Sequence, residues 1–173
     1  MSAFGGKADI GPRAPTCGLM TRSGPNGRFQ RSMEFAQMTG ELQRLRNSYE
    51  AVRLSLGAAR GVRFAEQHDG SAHVEFSDGL YQYVVTDRGV EVERRSASGM
   101  DEIMYWLARD ESHSQACDFE LQNRIPNRDP RRLMFAKQNE ILGRVDPQWA
   151  ARSEREQEEI LRNHPFNDRA GSL

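Results

Sequence analysis

Apolar residues at Phe35, Met38, Leu42, Leu45, Tyr49, Val52 and Leu56 recur at alternating steps of three and four. That spacing lays one stripe along an α-helix and predicts a helix from Met33 to Leu56. Gly40 interrupts it at a cost of about 1 kcal/mol relative to alanine, which seven apolar positions outweigh. A stripe this short points to packing on the chain's own sheet rather than a coiled coil. The period then falls to two. Strands are expected at residues 62–67, 72–77, 80–86 and 90–95, with Asp69-Gly70 and Asp78-Gly79 as tight turns, because glycine takes positive φ without a Cβ clash. A two-residue turn at Asp78-Gly79 sets Phe76 opposite Tyr81, Val74 opposite Tyr83 and Ala72 opposite Val85. A second turn around Arg88 brings Val90, Val92 and Arg94 onto the same, core-facing side. His73, Glu75, Gln82, Val84, Glu91, Glu93 and Arg95 then share the outer face. In this register Arg94 is a core-side charge that needs a partner, and Arg95 is solvated.

The remainder reads as helical. One helix covers 100–110, with Asp101 and Glu102 in its first turn, where the helix dipole favours anions. Another covers 112–124 and is closed by Pro126. Asp129-Pro130 and Asp146-Pro147 each pair an N-cap with a proline suited to the first turn, opening two more helices, the last running to about Asn163. The predicted fold is α+β: an N-terminal helix, a four-stranded antiparallel β-meander, and a C-terminal layer of about four helices on one sheet face. Residues 33–168 form the single expected domain. Residues 1–32, rich in Gly, Pro, Ser and Arg and without hydrophobic period, are expected to be a disordered basic arm, with Met20 and Met33 as alternative starts. Residues 169–173 are a tail.

Charge divides along the same boundary. Residues 1–32 carry Lys7, Arg13, Arg22, Arg28 and Arg31 against Asp9, a balance of +4, and the rest of the chain nets −5. An acidic body disfavours nucleic acid and suits a basic partner. No apolar run approaches the roughly 20 residues that span a bilayer, and the start lacks a secretory apolar segment, so a cytoplasmic address without membrane association is expected. Cys17 and Cys117 lie in unrelated contexts, the simple reading of which is two reduced thiols.

Few residues suggest chemistry. His113 and Cys117 stand four apart on an expected helix, a spacing that can place two metal ligands on one face. Glu120 is the nearby further candidate, too few for a zinc site, and no metal or cofactor is expected. A Cys–His nucleophile normally draws its partners from separate elements. His73, Glu75, Glu91 and Glu93 would do acid–base chemistry only if burial drove their pKa values apart; on an open sheet face they form a flat docking surface instead. Arg131, Arg132 and Lys137 lack the Gly-rich loop of a phosphate cradle. The two arginines point about 100° apart, so one is expected to bridge to Asp118 or Glu120 and the other to be solvated. Asp110, Glu111 and Trp149 complete the candidate partner-binding residues, Trp149 as an exposed aromatic anchor.

The order of segments carries a further reading. MDEIMYWLARD (100–110), CDFELQNR (117–124) and DPRRLMFAKQNEILGRVDPQW (129–149) follow YQYVVTDRGVEVERR (81–95) and precede His164-Pro165-Phe166. In this order the chain resembles immunity protein family 63 of the bacterial polymorphic-toxin systems, over roughly residues 62–168. The resemblance implies a protein that binds and neutralises a cognate toxin rather than an enzyme. Asp101, Glu102, Tyr105, Trp106, Asp118, Glu120, Arg131, Arg132, Lys137 and Gln138 are the positions that carry the pattern. A non-catalytic adaptor, or a small enzyme using the outer carboxylates or His113/Cys117, are the alternatives.

Overall fold

The computed structural model describes residues 25–168, with side chains from Met33 onward. The order is α1 (Pro25–Leu56), β1 (Asp69–Ser77), β2 (Leu80–Asp87), β3 (Val90–Ala97), α2 (Met100–Gln122), α3 (Arg131–Gly143) and α4 (Pro147–Asn163). The antiparallel sheet has strand order β1-β2-β3. α1 starts at Pro25 rather than Met33; the rest of the expected disordered arm and the 169–173 tail lie outside the described residues.

Helix α1 buries Leu45, Tyr49 and Leu56 but leaves Phe35 exposed, so the apolar stripe finds its partner from about Leu42 onward. Leu45 joins Val74, Tyr81, Tyr83, Ala97, Ile103, Tyr105 and Trp106 in the main core, between the sheet, α1 and α2. A second cluster of Leu56, Ala58, Ala108, Ile141 and Leu142 lies where α1, α2 and α3 meet. Trp149, at the start of α4, packs against both clusters.

Two expectations about element number are corrected. Residues 62–67 do not form a strand. One backbone bond attaches this stretch to β1, from the Val74 N–H to the Arg63 carbonyl, while the left-handed backbone at His68 (φ 56°) and Gly70 (φ 79°) turns the chain where a ladder would continue. Val62 and Phe64 still pack against the core, which is the source of their alternating pattern. The helices expected at 100–110 and 112–124 are one continuous α2. Ser112 at the junction turns its hydroxyl back onto the Arg109 carbonyl and stays within the helix. The C-terminal layer therefore has three helices, not about four.

The β1–β2 register is as expected, with Phe76 opposite Tyr81, Val74 opposite Tyr83 and Ala72 opposite Val85. Asp78 (φ 52°) and Gly79 (φ 75°) form the connecting turn, as do Arg88 (φ 49°) and Gly89 (φ 82°) before β3. Positive φ at both central residues matches the twist of the flanking strands. The β2–β3 register is different from expectation. Val85 pairs with Glu93 but Thr86 pairs with Glu91, leaving Val92 as a bulge. One inserted residue exchanges the faces of everything beyond it. Arg95 comes to the core side opposite Tyr83, and Arg94 moves to the outer side opposite Val84. The Arg95 guanidinium lies over the Tyr83 ring at 4.5 Å and the Trp106 ring at 4.9 Å, with Glu93 as its ion-pair partner at 2.8 Å.

Caps set the later helices. The Asp146 carboxylate accepts from the Gln148 N–H at 2.7 Å, and Asp129 accepts from the Arg131 N–H at 3.0 Å, the roles expected of both. A polar chain fixes how α3 and α4 dock. Gln138 donates to the Arg109 carbonyl, Gln157 donates to Gln138 and Ser153, and Asn139 donates to Gln157.

Two stability measurements follow from this arrangement. Gly40 lies inside α1, and an added Cβ meets nothing within 4 Å. Gly40→Ala is expected to raise unfolding free energy by about 0.5–1 kcal/mol, and urea titration checks it. Arg95→Ala removes a half-buried cation stacked on two rings and is expected to cost about 1–2 kcal/mol. Arg94→Ala breaks only exposed ion pairs and is expected to cost about 0.5 kcal/mol. Equal losses, or the reverse order, would contradict the bulged register.

Candidate partner-binding site

The outer sheet face is not the acidic plane that the unbulged register implies. Glu93 is on the other face with Arg95. Arg94 occupies the centre instead, donating to Glu75 at 2.9 Å and to Glu91 at 2.7 and 2.9 Å. Both carboxylates are held below the usual range, chiefly by these hydrogen bonds from Arg94. His73 is buried, with Nε2 3.3 Å from Glu75. Glu66, His73 and Glu75 present donor atoms within 4.8 Å of one another, but a cation there would compete with Arg94 for Glu75. Arg94 thus offsets one of the two negative charges at the centre of this face.

The concave surface lies on the other side of the sheet, along the middle of α2. A cleft of about 650 Å³ runs between α2, the N-terminal end of β1 and the 60–63 segment, with Tyr49 of α1 and Tyr83 of β2 among its lining residues. α2 contributes Asp110, Glu111, His113, Cys117 and Asp118. Asp110, His113 and Cys117, at steps of three and four, share one flank of the helix, and Glu111 and Asp118, seven apart, lie together beside it. Arg63 is committed to Ser71 and Asp69 on the opposite wall. The Tyr83 hydroxyl donates to Asp110. Burial pushes the Asp110 carboxyl up, against the opposing pull of the Tyr83 bond and of Arg95 and Arg109. Burial also raises the Tyr83 phenol, reinforced by Asp110, and raises Tyr49, reinforced by Glu111 and Asp110.

His113 and Cys117 do meet, at 3.6 Å, and the thiol also contacts the Met134 sulfur at 3.3 Å. Burial pushes the thiol up, as do Asp118 and Glu120, which is the opposite of what an activated nucleophile needs.

The positions that carry the family pattern are distributed through the helical layer. Asp101 is exposed and Glu102 pairs with Arg152 through both oxygens, at 2.6 and 2.7 Å. The same Arg152 lies 3.9 Å over the Tyr105 ring, and Trp106 meets Tyr83 edge to face. Gln138 belongs to the buried polar chain between α3 and α4, and Lys137 pairs with Glu140 above the Phe119 ring. Glu120 is buried and bound by Arg124, not by the Arg131/Arg132 pair. Arg131 instead grips Asp129 and the carbonyls of His164 and Pro165, while Arg132 holds Asp168. Both guanidiniums stack on Phe166. The expected bridge to Asp118 or Glu120 is therefore replaced by a lock on the C-terminal segment. Trp149 is partly buried, edge-on to Tyr105, and so is a seam residue of the core rather than a free anchor.

Sequence reasoning placed Asp110 and Glu111 among the binding residues but missed Tyr49 and Tyr83, both read there as core. Both are buried and also line the cleft, so the apolar period alone does not separate the two roles.

Residues 77–159 match the family model Immunity protein 63, confirming the resemblance to that family over β2, β3, α2, α3 and most of α4. No curated protein and no solved structure matches the chain. Among the described residues, no helix is long and apolar enough to cross a membrane.

The C-terminal lock yields a pH-dependent expectation. Asp129 is held well below the usual carboxylate range, first by the Arg131 guanidinium and then by backbone N–H groups including that of Asn167. A depressed folded-state pKa contributes stability above the unfolded value, near 4, and that contribution disappears as pH falls toward the folded value. Asp129→Asn is expected to lower stability by about 1–3 kcal/mol at pH 7. The gap from the parent protein should narrow only below about pH 4, as read by urea midpoints across pH. A gap that widens on acidification would show that Asp129 is not the depressed group.

Proposed function

We propose that this protein neutralises a cognate bacterial toxin in the cytoplasm by stoichiometric binding, with the cleft along α2 at the centre of the contact. The match of residues 77–159 to Immunity protein 63 carries the reading. The cleft supports its placement, since Tyr83, Asp110, Glu111 and Asp118 all fall inside the matched span. Arg94 compensates Glu75 and Glu91 on the outer face, whereas the α2 flank keeps its negative charge for a partner. Binding is the proposed mode of action, and the raised Cys117 thiol does not favour a nucleophilic role. Inhibitory complexes of this kind bury about 1,600 Å² in total, with a few residues dominating the energy. A basic partner would be steered to an acidic surface, so association should slow as salt rises.

Co-expression with the toxin encoded beside this gene tests the proposal. The parent protein is expected to restore growth and to co-purify with the toxin domain in a one-to-one complex. Glu75→Lys with Glu91→Lys should leave protection intact, because those side chains are removed from the contact. Loss of protection in that folded double variant would move the interface to the outer sheet face. If the parent protein neither binds nor protects, the immunity reading fails and a non-catalytic adaptor takes its place.

A further inference from the structure

Among the carboxylates with displaced acidity, Asp110 stands apart. Glu75, Glu91, Glu102, Glu120, Asp129, Glu140 and Asp168 are each lowered by an arginine or lysine that bonds to them. Asp110 is raised, with burial as the largest cause. Its hydrogen bond comes from a neutral phenol, Tyr83, and no cation stands within 4.0 Å of it among the described residues. Arg95 and Arg109 act on it from a distance without bonding to it, and a half-buried carboxylate without a bonded cation is an unfavourable arrangement in an isolated chain. It is favourable where a ligand brings the missing charge.

The surroundings point the same way. Tyr49 lines the same cleft with only 4% of its surface exposed. Its phenol lies in the field of Asp110 and Glu111 and has no hydrogen bond to a described residue. The ring is buried while the hydroxyl opens into the cleft, free to accept from an incoming donor. Glu111 and Asp118 flank the opening on the α2 side. On the far wall Arg63 is spent on Asp69 and Ser71, so Arg60 is the one arginine lining the cleft that is not ion-paired among the described residues, with Arg95 and Arg109 acting on Asp110 from behind it.

We propose that this cleft receives one cationic side chain, a lysine or arginine carried on a loop of the toxin, with Asp110 as its counter-ion. This inference rests on the toxin-binding reading above and specifies the chemistry of the contact. The incoming donor groups bond to the Asp110 carboxylate, which Tyr83 holds in place, and to the Tyr49 hydroxyl. Glu111 and Asp118 steer the cation in. The cleft volume accommodates a long side chain together with part of the loop that bears it.

The test combines two probes and keeps the fold under observation. Asp110→Asn retains an acceptor for Tyr83 but removes the charge. It is expected to melt no lower than the parent protein, because a half-buried charge without a bonded cation has been relieved, and yet to bind the neighbouring toxin about thirtyfold more weakly. A residue with a purely structural role would show the opposite pattern. The second probe is a blocked Gly-Arg-Gly or Gly-Lys-Gly peptide titrated into the labelled full chain by NMR. Saturable shifts at Tyr49, Tyr83 and residues 107–118 are expected with both peptides, and none with the uncharged Gly-citrulline-Gly analogue. If Asp110→Asn does not fold, Glu111→Gln with Asp118→Asn carries the same two readouts. Toxin binding by the parent that Asp110→Asn leaves unchanged overturns the cation site and leaves the immunity function standing. Absence of toxin binding by the parent removes the function instead, and the peptides then decide the site alone. Equal shifts with the citrulline peptide, or no shifts with any, overturn it.

Discussion

One inserted residue in β3 governs how charge is distributed over this molecule. Because Val92 is bulged out between the Val85–Glu93 and Thr86–Glu91 pairs, the strand presents Glu93, Arg95 and Ala97 to the core side and Glu91, Arg94 and Ser96 to the outer side. Arg95 can then slide its guanidinium against Tyr83 and Trp106, joining the sheet to α2 with a cation instead of an aliphatic side chain. Arg94 is released to the outer face, where it binds Glu75 and Glu91. Without the bulge the outer face would collect Glu75, Glu91 and Glu93 against Arg95 alone. With it, Arg94 bridges the two carboxylates that remain there, and Glu93 pairs with Arg95 on the other side.

The two faces therefore differ in kind rather than degree. On the outer face, Glu75 and Glu91 share Arg94, and a partner would have to break those pairs to use them. In the cleft, Asp110 accepts from a tyrosine and is otherwise held against desolvation. Surface pairs are worth little to stability, so the outer arrangement does not explain why the fold holds. A half-buried carboxylate without a bonded cation, by contrast, costs stability. Such a cost is commonly tolerated at positions where activity depends on it. The asymmetry supports the proposed contact along α2 more sharply than net charge could.

Much of this was legible in the chain. The stripe from Leu42 to Leu56, the β1–β2 register and the capped starts at Asp129 and Asp146 all follow from short-range rules that the structure obeys. What was not legible depends on contacts distant in sequence. The bulge has no glycine or proline to announce it, since Glu91-Val92-Glu93 alternates perfectly well in a flat strand. Residues 62–67 alternate because Val62 and Phe64 touch the core, which a loop can achieve without a ladder. The break expected near Ser112 is absent because serine can bond back to its own helix. Arg131 and Arg132 find partners more than thirty positions away, at His164, Pro165 and Asp168. Asp110 and Glu111 could be selected as exposed acids, but the cleft that gives them meaning needs Tyr49 from α1 and Tyr83 from β2.

Rigidity is what lets so small a set of groups matter for binding. α2 is held on three sides: by the sheet through Trp106 and Tyr83, by α4 through Glu102 and Arg152, and by α3 through Gln138 on the Arg109 carbonyl. The last of these bonds lies one residue before Asp110, and the Ser112 hydroxyl takes the same carbonyl. Backbone that is fixed immediately on either side of a binding carboxylate loses little further freedom when a partner arrives. Ordering cost is a main term opposing association, so a pre-fixed acid on a clamped helix returns more of its electrostatic attraction as affinity than the same acid on a loop. The helical layer, which carries most of the family pattern and none of the evident chemistry, contributes by keeping that one helix still.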